Sequence, residues 1–278
     1  FFGNPCDHLL KLPKDLDLIL ISPGIDKQHL FLKKIKECYP HITIVGEIEF
    51  LHRLITIPWI AVTGTDGKST VSDLLRYIFE RSHYRVFLGG NFGTPLVELI
   101  PQMKDYDIAV IELSSFQLED VTQLDPDVSI ITNVAPDHLY RHHSFDEYVG
   151  CKTNIFISQS QKHTAVLDYD EHLITFSKQT SANLRWTSLK QPNEQNFTGS
   201  YYSHAEKKYY HTFANNNRET SHSFVINNEK LVGKFQPQNF MAAFEASKHF
   251  QISEKEIIES IQSYHGLAHR IEFVRDIS

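Results

Sequence analysis

The 278-residue sequence is short of cysteine, has no cationic surplus and contains no long apolar run. Its three cysteines, Cys6, Cys38 and Cys151, are too few and too widely spaced for a disulfide framework or a paired CxxC metal clip. That scarcity fits a reducing compartment. Lys and Arg number 27 against 34 Asp and Glu, a formal charge of -7, so the chain lacks the cationic face that duplex binding by counterion release requires. Nucleic acid is excluded as a main partner. No stretch approaches the roughly 18 to 20 apolar residues needed to span a bilayer, and the first residues, Phe1 to His8, lack a basic segment followed by an apolar one. These absences predict a soluble cytoplasmic protein with no membrane partner, most simply a monomer. The chain opens on Phe1 rather than Met, which reads as a processed product, a fragment or an incomplete sequence.

From Leu16 to Val134, short apolar runs ending in Gly, Ser, Asn or Pro alternate with longer helix-like stretches. This is the pattern of an α/β fold with a mostly parallel sheet flanked by helices. Four runs, Leu16 to Ile21, Trp59 to Val62, Ile108 to Ile111 and Val128 to Ile131, each place polar residues just past the carboxyl end of a strand, where open α/β sheets bind ligands. Phe145 to Ile157 reads as a helix. Between His163 and Ile226, β-rich runs separated by polar turns predict a small, mainly antiparallel section, with Asn215-Asn216-Asn217-Arg218 as a hairpin tip. Helices are expected over Asn239 to Phe250 and Ser253 to Tyr264, the second opened by a capping box of Ser253 and Glu256. The acidic helix at Glu47 to Phe50 gives way to a new strand near Ile55 to Pro58, which predicts a division into residues 1–55 and 56–278.

One motif carries chemistry on its own. Gly64-Thr65-Asp66-Gly67-Lys68-Ser69-Thr70 follows a strand and opens a helix expected over Val71 to Phe79, so helix-terminal N–H groups and the Lys68 ammonium converge on one anion-sized space. That arrangement suits a nucleoside triphosphate. The longer Walker pattern would need Gly at Val62, so only the shorter TGxxGK[ST] form is present. Ser69 or Thr70 offers a hydroxyl as a hard ligand for Mg²⁺. A lone Glu at a strand end, such as Glu112, is more often an exposed acid. The neighbours His142 and His143 do not make a metal pair, because adjacent residues rarely face the same way.

In chain order, Ser22-Pro23-Gly24-Ile25, the phosphate loop, Gly90-Asn91-Phe92-Gly93, Glu112-Leu113-Ser114-Ser115-Phe116-Gln117-Leu118, Asn133 to Asp137-His138, Tyr148 to Lys152, Asn239 and Gly266-Leu267-Ala268-His269-Arg270 are present. This succession, covering nearly the whole chain, resembles the Mur ligase family. The Glu-Leu-Ser-Ser-Phe-Gln-Leu block resembles the members that add D-glutamate to UDP-N-acetylmuramoyl-L-alanine. The resemblance implies an ATP-dependent C–N ligase of peptidoglycan precursor synthesis: ATP phosphorylates the substrate carboxylate, and the amine attacks the acyl phosphate. A ligase of the same family adding a different amino acid, and a non-catalytic nucleotide-binding module, are the competing readings.

The resemblance implies a role for each matching residue. Two Mg²⁺ ions would be held by Ser69, Thr70, Glu112, His138 and Lys152, the last as a carbamate formed with CO₂. Lys68, His138 and Lys152 would be catalytic. Asn239 would meet the adenine and Arg270 the ATP phosphates. Ser22, Pro23 and Gly24 would approach the uridine diphosphate, and Asn91, Ser114 and Gln117 the muramoyl-alanine or the phosphates. For Asn91, Ser114 and Gln117 the ordinary alternative is turn capping, for Asn239 a helix N-cap, for Lys152 a solvated helix lysine and for Arg270 a surface ion pair.

Three departures stand out. Asp66 replaces the usual Asn of the loop, Tyr140 stands where Asp is common after His-Leu, and Phe235-Gln236 replaces His-Asn ahead of Asn239. The family's first Gly-rich turn and its C-terminal domain, which binds the incoming amino acid, have no counterpart here. The expectation is a complete central ATP-binding domain preceded by part of a Rossmann-like UDP-binding domain.

Overall fold

The computed structural model describes residues 12–13, 15–26, 29–119, 121–193, 197–215, 218–228, 233 and 235–267. The first elements are β1 (Leu18–Ile21), α1 (Leu30–Cys38) and β2 (Thr43–Gly46); β1 and β2 pair in parallel as a two-stranded sheet, with Ile21, Leu32 and Ile35 buried between sheet and helix. A short helix, α2 (Glu47–Leu51), then contributes Ile48 and Leu51 to the core of the larger sheet.

That sheet begins with β3 (Trp59–Thr63), whose five residues are all buried, as a strand covered on both faces must be. Its side chains alternate: Ile60 and Val62 enter one core, Trp59 and Ala61 the other. Next comes α3 (Lys68–Arg81), which buries Val71, Leu74, Leu75, Ile78 and Phe79, a stripe at helical spacing aimed at the sheet. The chain continues through β4 (Val86–Gly90), α4 (Leu99–Gln102), β5 (Ile108–Glu112), α5 (Ser115–Leu118) and β6 (Val128–Ile131). Then follow α6 (Leu139–His142), α7 (Phe145–Thr153), β7 (Thr164–Asp168), α8 (Glu171–Ser177) and β8 (Asn183–Ser188). After β9 (Gly199–Ser203), β10 (Lys208–Asn215) and β11 (Arg218–Phe224), the described chain closes with α9 (Gln236–His249) and α10 (Glu254–Ser263).

The nine strands run in the order β11-β10-β9-β8-β7-β6-β3-β5-β4. Helices α3, α9 and α10 cover one face, and α5 and α7 the other. The fold is therefore the expected α/β architecture, a mostly parallel sheet flanked by helices with a small antiparallel section. The antiparallel part is smaller than the sequence pattern predicts. β7, β8 and β9 extend the parallel sheet, and among the described residues only β9–β10 and β10–β11 are antiparallel. The seven-residue α8 supplies the crossover between β7 and β8, and a helix that short leaves little periodicity to read. Asn215 pairs with Arg218 across the expected hairpin, whose central residues 216 and 217 lie outside the described residues.

Helix limits also shift. α7 ends at Thr153 instead of Ile157, and α9 starts three residues before Asn239, where Pro237 in the first turn costs no internal hydrogen bond. Among the described residues, no helix is long and apolar enough to cross a membrane.

Candidate functional site

The carboxyl ends of β3, β5 and β6 bring the phosphate loop together with Glu112 and the 132–138 segment. The loop leaves β3 at Gly64, with φ of 147°, and enters α3 through Gly67, with φ of 81°. Both conformations disfavour a side chain. Space forbids one as well: a Cβ on Gly64 would lie 1.9 Å from Thr132 Oγ1, and one on Gly67 would lie 2.4 Å from Asn239 Oδ1.

Loop carbonyls and amides are pinned from the segment just past β6. Thr132 Oγ1 donates to Asp66 O at 2.6 Å, Asn133 Nδ2 donates to the same oxygen at 3.0 Å, and Asp66 N–H donates to Asn133 Oδ1 at 2.9 Å. The Asp66 side chain itself is exposed. Thr65 Oγ1 accepts from Ala135 N–H at 2.9 Å and lies 3.1 Å from Tyr148 Oη.

Two lysines meet at this loop. Lys68 Nζ donates to Gly64 O at 3.0 Å and Thr65 O at 2.8 Å. Lys152, from the last turn of α7, is only 2% exposed; its Nζ donates to Gly64 O at 2.8 Å and lies 4.6 Å from the Tyr148 ring centre. Burial, reinforced by the nearby Lys68 charge, pulls the Lys152 ammonium down to about 7. Lys152 is thus no solvated helix lysine, and near neutrality much of it is the free amine that a carbamate requires.

Glu112 ends β5 at 1% exposure. Its Oε1 accepts from Asn91 Nδ2 at 2.8 Å, while Oε2 is buried without a protein partner. A buried carboxylate oxygen left open suits a hard cation or its water. Ser69 is buried beside Lys68 at the start of α3, and Thr70 is half-buried.

His138 has φ of 50° and heads α6; its ring packs 4.9 Å from the Phe116 ring, and its Nδ1 lies 3.4 Å from Tyr140 Oη. Among the described residues, no three His, Cys, Asp or Glu side chains converge as a metal cluster. His142 and His143 diverge as expected: His142 is fully buried, with Nε2 3.0 Å from Ser115 Oγ, and the His143 side chain is 80% exposed.

Ser114 and Gln117 close a capping box on α5, each bonded to the other. Ser22, Pro23 and Gly24 form the turn after β1, closed by Ile25 N–H to Ser22 O at 3.0 Å. Asn239 is the fourth residue of α9, not its cap; it is buried against Gly67, with Oδ1 lacking a partner. Arg270 lies outside the described residues.

Sequence reasoning passed over Arg141, Asp168 and Gln238. Gln238 Nε2 donates to Asp168 Oδ1 at 2.6 Å and to Thr187 Oγ1 at 2.7 Å, one residue from Asn239. For Arg141 the only sequence signal is its place three residues after Asp137-His138.

Residues 62–247 match the Mur ligase middle domain. The chain is 33% identical over 265 residues to UDP-N-acetylmuramoylalanine--D-glutamate ligase of Geotalea uraniireducens, covering 94% of this chain and 56% of that protein. The like-named ligase of Syntrophus aciditrophicus is 34% identical over 273 residues, covering 98% of this chain and 58% of that protein. The chain thus spans little more than half the length of these curated relatives. Among solved structures, UDP-N-acetylmuramoyl-L-alanyl-D-glutamate--2,6-diaminopimelate ligase superposes with a TM-score of 0.63 at 19% identity, covering 94% of this chain and 62% of that one. MurF from Acinetobacter baumannii superposes with a TM-score of 0.60 at 17% identity, covering 82% and 51%. These two show the shared fold. With the phosphate loop, the buried strand-end glutamate and the domain match in one continuous region, the chain belongs to the Mur ligase family.

Proposed function

We propose that the protein acts in ATP-dependent addition of D-glutamate to UDP-N-acetylmuramoyl-L-alanine, within cytoplasmic peptidoglycan precursor synthesis. The observation that carries the reading is the convergence of Lys152, Lys68 and the open oxygen of Glu112 on one phosphate loop. The names of the curated relatives support the choice of substrates.

The chemical difficulty is to bring a carboxylate to a triphosphate, since both are anions. In this reading the N–H groups at the start of α3 and the Lys68 ammonium hold the phosphates. Lys68 must then exchange its present bonds to Gly64 O and Thr65 O for phosphate oxygens. Glu112, His138, Ser69, Thr70 and a carbamylated Lys152 would hold two Mg²⁺ ions, which supply charge neutralisation when bound. The free amine of Lys152 is suited to take up CO₂, releasing a proton and turning a buried neutral amine into an anionic oxygen donor. Asn91 holds Glu112 from behind and presents its remaining amide atoms to the acyl end of the substrate. Asn239 Oδ1 is an acceptor suited to the adenine amine, and Arg270 is assigned to the phosphates. Ser22 to Gly24 would meet the uridine diphosphate, and Ser114 and Gln117 the muramoyl-alanine at the rim of their capping box. Residues 1–55 are then part of the nucleotide-sugar unit and residues 56–278 the ATP-binding unit.

The test is calorimetric titration of the protein with UDP-N-acetylmuramate, its L-alanyl form and its L-alanyl-D-glutamyl form, with Mg²⁺ and ATP analogue present. Preference for the L-alanyl form is expected. Preference for either of the others would assign the chain to a ligase with a different amine. Lys68→Ala should weaken the analogue at least tenfold; unchanged affinity would overturn the phosphate-loop assignment.

A further inference from the structure

We propose that Arg141 is a positioning residue that fastens the turn after β1 to the aromatic pair around His138, so that the two ends of the substrate site are held in register. The proposal rests on the reading of Ser22 to Gly24 as the nucleotide-sugar turn.

Arg141 lies on α6, three residues after His138, and its guanidinium meets two parts of the fold, the turn after β1 and the end of α5. Its Nη2 donates to Glu119 Oε2 at 2.8 Å and to Ile25 O at 3.2 Å, and Nε approaches Glu119 Oε1 at 3.4 Å. Its Cζ lies over the Phe116 ring, 5.7 Å from the ring centre. Phe116 in turn packs 4.9 Å from His138 and stacks 5.5 Å from His142. The Arg141 and Glu119 side chains are 16% and 15% exposed, so the ion pair is largely shielded from water.

A planar fork with several fixed donors can serve a carboxylate, a carbonyl and a ring face together; an ammonium cannot. Ile25 is also the residue whose N–H closes the Ser22 turn. The same guanidinium therefore bears on the first unit and, through Phe116, on the histidine assigned to the second. Glu119 anchors the fork from just beyond α5.

The test uses hydrogen exchange and titration on wild type, Arg141→Gln and Glu119→Gln. In ligand-free Arg141→Gln, the Ile25 amide should exchange about tenfold faster while β6 amides are unchanged. Affinity for UDP-N-acetylmuramoyl-L-alanine should fall about tenfold, and affinity for the Mg²⁺ form of a non-hydrolysable ATP analogue, measured alone, should stay within about twofold. Glu119→Gln keeps an acceptor for the guanidinium and should change substrate affinity less than about threefold. Unaltered Ile25 exchange overturns the proposal. So does a parallel loss of both ligands with a lowered melting temperature, which marks a merely structural role. If wild type takes neither ligand, the functional reading fails, and the Ile25 exchange alone decides whether Arg141 fastens the turn.

Discussion

Replacing Asp168 with Asn should stabilise the protein at pH 8 and leave it nearly unchanged at pH 4. Asp168 ends β7 with Oδ1 under the Gln238 amide, and burial, helped by the neighbouring Asp170 charge, raises its carboxyl from 3.8 to about 7. The folded state therefore holds a proton that the unfolded chain releases between about pH 4 and 7. Stability is full below the unfolded value and declines as pH rises through the folded one. A shift of about three units at about 1.4 kcal/mol each sets an upper bound near 4 kcal/mol, and partial exposure reduces it to about 2 to 4 kcal/mol. Asparagine keeps an oxygen for Gln238 and carries no charge. In a chain of this size each kcal/mol moves the melting temperature by about 2 °C, so Asp168→Asn should melt about 4 to 8 °C higher at pH 8. Thermal and urea unfolding at pH 4 and pH 8 provide the measurement. A stability difference independent of pH, or a variant less stable at pH 8, would refute the reasoning.

Two further outcomes are expected. Gly67→Ala should cost about 1 to 3 kcal/mol by chemical denaturation, from the positive φ and the 2.4 Å approach to Asn239 Oδ1. Adding Asn239→Ala should recover the part due to the clash, and strictly additive costs would show that Asn239 is not what the new methyl meets. Lys152→Met, in CO₂-free buffer, should be more stable than wild type at pH 6, by at most about 5 kcal/mol. The depressed lysine penalises the folded state fully below about pH 7, and the penalty fades as pH rises toward 10.5. Denaturant melts at pH 6 and pH 9 that show the same difference would contradict the burial argument.

The parallel sheet was legible from Trp59 to Ile131 because strands buried on both faces read as continuous apolar runs broken by small polar residues. Helix α10 was equally legible, since Ser253 and Glu256 do form its capping box. The crossover that keeps β7 and β8 parallel was not, because α8 is too short to impose a period. At the site, the glycines and Lys68 of the phosphate loop declare themselves through local spacing. Asn239 does not: its meaning comes from a contact with Gly67, 172 positions away in the chain and less than one side chain away in space.

The sequence by itself determined the strand-loop-helix of the phosphate site, the order of the motifs and the family. Those features are short-range, set by backbone freedom and apolar periodicity. Only the tertiary structure decided that Glu112 keeps an unpartnered oxygen in the core, that Lys152 loses most of its proton affinity there, and that Arg141 reaches Ile25. Charge state and side-chain partnership depend on desolvation and on groups brought from distant positions. Neither is written in the neighbours of a residue along the chain.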